Sequence, residues 1–171
     1  MTAVLPKQEI QSLLSRTPPL LEGMVNAEEQ VQPNGVDLTL RQVAMFSSSG
    51  VIGRTNQERR LSDTAPLTFD GLGDMELIAG PYLVTFNEIV NLPPDVMAIG
   101  QPRSSLLRCG VAIHNAVWDA GYSGRSQALL VVYNPYGFRI KRDARLLQLV
   151  FLHLTTATND TYKGRFQGEN K

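Results

Sequence analysis

Two adjacent stretches hold the residue types a hydrolytic reaction on an anionic substrate needs. The first is Gln101-Pro-Arg-Ser-Ser-Leu-Leu-Arg-Cys-Gly110, with Arg103 and Arg108 five apart and two hydroxyls, Ser104 and Ser105, between them. Guanidinium forks, hydroxyl donors and the free N–H groups at the start of a leucine-bearing turn all favour a phosphate chain. The second is Val117-Trp-Asp-Ala-Gly-Tyr-Ser-Gly124, where Asp119 is set between apolar and glycine-flanked residues and Tyr122 offers a flat face to a sugar or base. Each has a plainer reading. Arg-Ser-Ser-Leu-Leu-Arg also suits a short surface helix with a serine cap, and Asp-Ala-Gly-Tyr-Ser-Gly suits a hairpin turn.

The elements around them read mainly as short strands. A helix is expected over 6–15, where Ile10, Leu13 and Leu14 have helical spacing behind Pro6, with Pro18-Pro19 ending it. Residues 22–30 read as a connecting loop. From Val31 a turn leads into a strand in which Val36, Leu38 and Leu40 alternate with Asp37 and Thr39, so Asp37 taken alone is a solvent-facing strand residue. Residues 41–75 read as hairpins and turns with no chemistry, Arg59-Arg60 being a solvated pair. Strands follow around 77–86 and 90–99. The apolar runs 128–133 and 146–152 read as buried strands, the first covered on both faces. Many short strands and almost no helix predict an all-β chain: a distorted antiparallel β-barrel or jelly-roll-like fold with a short N-terminal helix.

Composition narrows the function. The 171 residues suit one core, and sixteen basic residues balance sixteen acidic ones, so an anion site must be local and nucleic acid is not expected as a bulk partner. The single Cys109 excludes an internal disulfide and reads as a small buried filler. No apolar run approaches a membrane span and the N-terminus lacks a signal peptide's apolar core, so a cytoplasmic location is expected.

Arg103-Ser-Ser-Leu followed by Asp119-Ala-Gly-Tyr-Ser-Gly resembles the active-site pair of the dUTPase and dCTP deaminase superfamily. Three further segments are similar to that family in the same order: Gln32-Pro-x-x-Val-Asp-Leu38, Arg145-Leu-Leu-Gln-Leu-Val150 and the terminal Tyr162-Lys-Gly-Arg-Phe-Gln-Gly168. The resemblance implies a barrel over 1–154 and an arm over 155–171 that closes on the site. It also implies roles: Arg103, Ser104, Ser105 and Gln148 on phosphates, Asp119 activating water, Tyr122 against the deoxyribose. Uracil would be met by the backbone around Asn115 and Ala116, and Phe166 would stack on the base. Asp37, Arg108 and Arg165 are further candidates. For Gln148, an amide paired to backbone is an equal alternative. His114, without partner ligands, reads as structural, and the arm's plain alternative is a frayed terminus preceded by a flexible link over 155–161.

The deaminase branch carries a glutamate in the strand after the Asp-x-Gly-aromatic turn, but here that strand is Ala128-Leu-Leu-Val-Val-Tyr133, without a carboxylate. The resemblance therefore implies hydrolysis of dUTP to dUMP and pyrophosphate, with Mg²⁺ held mainly through the substrate's phosphates, in a homotrimer. A dCTP deaminase and a non-catalytic deoxynucleotide-binding regulator are the alternatives.

Overall fold

The computed structural model describes residues 3–171. The chain begins with α1 (Lys7–Leu14), which buries Ile10 and is docked by Lys7 N–H donating to Pro33 O. A two-residue strand β1 (Leu21–Glu22), a four-residue helix α2 (Ala27–Gln30) capped by Asn26, and β2 (Val31–Gln32) follow. The 22–30 stretch is thus partly helical rather than a loop. Asn26 Oδ1 accepts from Glu29 N–H, and Asn26 N–H donates to the Gln30 side chain, which closes one turn.

The long strand β3 (Gly35–Phe46) is the spine of the barrel. Its first half pairs with β2 on one edge, and its second half with β4 (Thr64–Pro66). After β5 (Asp74–Leu77), β6 (Gly80–Phe86) and β7 (Ile89–Asn91) come β8 (Val96–Pro102) and α3 (Ser104–Arg108). Next are β9 (Val111–His114), β10 (Ser123–Gly124), β11 (Gln127–Val132), β12 (Phe138–Lys141) and β13 (Arg145–His153). The eight-stranded main sheet runs β8-β13-β3-β6-β11-β9, with β2 and β4 added alongside β3. Every ladder is antiparallel. Smaller sheets, β1-β7-β10 and β12-β5, close its flanks. A register shift between Leu40 and Gln42 lets β3 leave β13 and join β6, the corner device by which one strand serves two halves of a barrel.

Inside lie Val36, Leu38, Leu40, Leu147, Leu149 and Phe151, each fully buried. Gly35 is required where β3 meets β13, because a Cβ there would lie 2.4 Å from Leu149 O. On β11, Ala128, Leu130 and Val132 point inward while Leu129 and Val131 stay partly exposed, so the single chain covers that strand on one face only.

Asp37 and Thr39 depart from the alternation expected of them, being 2% exposed each. Their face of β3 is covered by polar side chains. Glu88, at the β6–β7 turn, is wholly buried and accepts from Thr39 N–H at 2.9 Å, Thr39 Oγ1 at 2.6 Å and Gln30 Nε2 at 2.7 Å. Burial pushes the Glu88 carboxyl upward, and the hydrogen bonds oppose that shift. Cys109 is exposed rather than buried. It is the residue after α3, whose one inward side chain is Leu106.

At the N-terminal edge, His153 Nε2 lies 2.5 Å from Glu9 Oε1, and Nδ1 lies 3.9 Å from Asp95 Oδ2. The Glu9 hydrogen bond raises the His153 pKa above its ordinary 6.5; burial opposes it, and the charges of Glu9 and Asp95 add to the rise. The link between α1 and β13 is therefore fully present below about pH 6.5 and is lost as pH rises through the higher folded value. Thermal unfolding at pH 5.5 and pH 8 should show wild type losing more stability across that interval than His153→Gln; equal losses would refute it.

Candidate functional site

The turn Trp118-Asp-Ala-Gly-Tyr122 follows β9 and is fixed to the barrel at both ends. Trp118 exchanges backbone hydrogen bonds with Ala98 at 2.9 and 3.0 Å, Tyr122 O accepts from Leu92 N–H at 2.9 Å, and Tyr122 N–H closes the turn by donating to Asp119 O at 3.0 Å. Gly121 has φ +83°, and a Cβ there would meet Thr161 at 2.5 Å, so both the turn and the arm above it need glycine. Trp118 and Tyr122 are buried while Asp119 is exposed. No hydrogen bond or ion pair engages the Asp119 carboxylate among the described residues.

This turn borders a cavity of about 630 Å³, large enough for a nucleoside. Of the residues expected at a site, Asp119, Ala116, Tyr122 and Phe166 line it. The walls also include residues that the sequence did not single out, namely Leu61 and Ser62 from the loop between β3 and β4, and Glu169 from the C-terminal segment. Asn115 does not line it. Its Nδ2 donates to Ala116 O at 3.1 Å and lies close to Gly100.

The C-terminal segment folds over the cavity and is bonded along its length. Thr158 N–H donates to Pro94 O, Tyr162 N–H to Ala120 O and Gly168 N–H to Ser123 O. The 155–161 stretch, expected as a flexible link, is thus tied to the barrel at Thr158. Tyr122 Oη donates to Glu169 Oε1 at 2.8 Å, and the Tyr122 and Tyr162 rings meet edge-on at 5.7 Å. Burial first, and then the hydrogen bond and charge of Glu169, raise the Tyr122 pKa, so its hydroxyl stays a donor at neutral pH. Arg165 is exposed beside Phe166.

The expected phosphate ligands lie in a second cluster, outside the cavity lining. Arg103 Nη1 is 3.2 Å from Asp37 Oδ2, and Arg145 Nη1 is 3.6 Å from the same oxygen. Gln148 sits across from Asp37 on β13, with its Cγ against Gly35. Ser104 and Ser105 open α3 and are exposed, whereas Arg108 Nη1 is folded onto Ser104 O at 2.9 Å. Asp37 Oδ2 is buried and makes no aligned hydrogen bond. Burial raises its pKa, and the two arginines partly offset the shift. Asp37 thereby holds two guanidinium groups side by side. Arg145 is also held by Glu29, whose backbone O accepts from Nη1 at 2.6 Å and whose Oε2 lies 3.8 Å from Nη2, so Arg103 is the freer of the two toward an anion. Arg145 heads the family-like segment that supplied Gln148 but carries no role of its own in the sequence reading. Its signal was a cation at the head of an otherwise apolar strand.

No three carboxylate, histidine or cysteine side chains are grouped to hold a metal ion among the described residues. Among the described residues no helix is long and apolar enough to cross a membrane.

Known proteins resemble the chain closely in sequence and in shape. The profile of the family described as dCTP deaminase-like matches residues 4–154. A Methanosarcina mazei protein named probable deoxyuridine 5'-triphosphate nucleotidohydrolase is 48% identical over 168 residues, 98% of each chain. An Archaeoglobus fulgidus protein of the same name is 42% identical over the same share of both. A Methanocaldococcus jannaschii deoxyuridine 5'-triphosphate nucleotidohydrolase is 34% identical over 82% of this chain and 89% of its own. Among solved structures, a 2'-deoxycytidine 5'-triphosphate deaminase from Agrobacterium tumefaciens superposes with a TM-score of 0.69 at 22% identity. It shares the fold over 89% of this chain, which spans 48% of that longer one. Matched by the profile over most of its length and by relatives over nearly all of it, the chain belongs to the dCTP deaminase-like family.

Proposed function

We propose that this protein hydrolyses dUTP to dUMP and pyrophosphate, as the names of its archaeal relatives say of them. The observation that carries the reading is an unengaged carboxylate, Asp119, at the wall of a nucleoside-sized cavity beside the buried Tyr122. The strand where deaminases place their glutamate, β11, is Gln-Ala-Leu-Leu-Val-Val and offers no acid to shuttle protons at a cytosine ring.

Asp119 takes a proton from water as the water oxygen bonds to the α-phosphorus. The bond from that phosphorus to the bridging oxygen breaks, and pyrophosphate leaves with the electron pair. Arg103, Ser104, Ser105 and Gln148 bind the phosphate chain and offset the growing charge. Tyr122, wedged by Tyr162 and Glu169, cannot yield to a 2'-hydroxyl, which sets deoxyribose apart from ribose. Phe166 covers the base, and the backbone at Ala116 meets its edge. The dispersed acids fit a Mg²⁺ ion that enters on the triphosphate rather than one held in a protein cage. Such an ion would neutralise phosphate charge and align the chain for attack. The 155–171 segment acts as the lid.

Arg103 does not line the cavity of its own chain, which supports a complete site built from neighbouring copies of a homotrimer. At dUTP far below the wild-type KM, where Asp119→Asn and Arg103→Ala are each nearly silent, mixing the two after co-refolding should restore activity at roughly a quarter of sites, the random-mixing share. No recovery would refute sharing. Arg103→Ala alone should raise KM for dUTP by about a hundredfold, through loss of a charge-assisted phosphate contact. Arg108→Ala, whose guanidinium is tied to its own helix, should stay within about twofold. The reading itself is tested by pyrophosphate release with Mg²⁺ from dUTP, UTP and dTTP. Release from dUTP alone supports it, and equal release from UTP would remove Tyr122 from its role.

A further inference from the structure

Arg59 follows the one-turn 3₁₀ helix Asn56–Glu58 in the loop between β3 and β4, and in sequence it reads as half of a solvated pair. The structure gives it different company. Its Cζ lies 5.7 Å from the centroid of the Phe166 ring, and its Nε is buried without a hydrogen-bond partner. No carboxylate pairs with it among the described residues. The nearby acids are engaged elsewhere: Glu58 Oε2 accepts from Arg54 N–H at 2.7 Å, and Asp63 Oδ2 from Ser48 Oγ at 3.0 Å. Among the described residues, the ring is therefore the electrostatic partner left to this cation. Its backbone is steadied next door, where Arg60 and Val51 exchange hydrogen bonds at 2.7 and 2.9 Å.

The loop and the C-terminal arm approach from opposite ends of the sequence, and both wall the same cavity. Leu61 and Ser62 come from the first, Tyr162, Phe166 and Glu169 from the second. Arg59 and Phe166 join them. We propose that Arg59 is a positioning residue that backs the Phe166 ring, so that loop and arm close over the nucleoside as one unit. This rests on the reading of the cavity as the nucleoside site. A guanidinium over one face of an aromatic ring is attracted to its quadrupole and gains strength where water is excluded. A ring so held keeps its other face for a base, and the entropy of ordering Phe166 is lost before the substrate arrives rather than on binding.

The test combines Arg59→Met, Arg59→Lys, Phe166→Leu and the Arg59→Met/Phe166→Leu double variant. It measures kcat and KM on dUTP with Mg²⁺, and the rate of tryptic cleavage after Lys163 and Arg165 in the unliganded protein. Arg59→Met should raise KM about fivefold and speed arm cleavage by a similar factor, with kcat changed less than about twofold. Arg59→Lys, which keeps a cation over the ring, should recover most of both. In the Phe166→Leu background, Arg59→Met should add nothing further. Multiplying effects in the double variant, or unchanged KM and cleavage in Arg59→Met, would overturn the proposal. Should wild type fail to hydrolyse dUTP, the reading of the cavity falls, while the tryptic rates still decide whether Arg59 holds the arm.

Discussion

Replacing Asp119 by Asn should lower kcat for dUTP by about a thousandfold and leave KM within a few-fold. The substitution keeps size and hydrogen-bonding capacity while removing the base that takes the water proton. Structure should be undisturbed, because the carboxylate is exposed and unengaged, and the turn is fixed through backbone atoms of Trp118 and Tyr122. The thermal midpoint should therefore match wild type, separating lost chemistry from lost folding. A variant retaining a tenth or more of wild-type kcat would show that another group activates the water.

The largest effect on folding is expected at Glu88, far from any proposed chemistry. Truncation to Ala removes the acceptor of three buried donors: Thr39 N–H, Thr39 Oγ1 and Gln30 Nε2. Each stranded donor keeps its desolvation penalty, so the loss should be about 3–5 kcal/mol. That is a large share of a stability that is typically about 5–15 kcal/mol. The thermal midpoint should fall by roughly 10 °C. Glu88→Gln keeps one carbonyl acceptor and should lose about half as much. The same network fixes β3 beside Asp37, through Gln30 Nε2 donating to Asp37 O at 2.8 Å, so Glu88→Ala should also loosen the grip on Arg103 and raise KM. A midpoint equal to wild type would mean that water satisfies these donors.

The mainly β architecture, the N-terminal helix and the grouping of Asp119, Tyr122 and Phe166 were legible in the sequence, because each depends on local pattern or on a contiguous motif. What escaped depends on partners distant along the chain. Alternation around Asp37 and Thr39 says that their side chains share a face, but not what covers it. Glu88, 49 residues on, and Arg145 supply that cover. Arg59-Arg60 looks like a solvated pair until the arm brings Phe166 onto Arg59. Glu169 reads as one more polar residue at a chain end until Tyr122 Oη donates to it. Cys109 was expected inside on residue type alone, whereas position decided it: a five-residue helix turns Leu106 inward and leaves the residue after it facing solvent.

The most direct test is a single reaction containing equal dUTP and dCTP with Mg²⁺, resolved by chromatography and assayed for ammonia. Hydrolysis without deamination requires dUMP and pyrophosphate to form from dUTP while dCTP persists and no ammonia appears. Ammonia together with dUTP or dUMP derived from dCTP would contradict the assignment, because a chain whose β11 carries no carboxylate would then be deaminating cytosine.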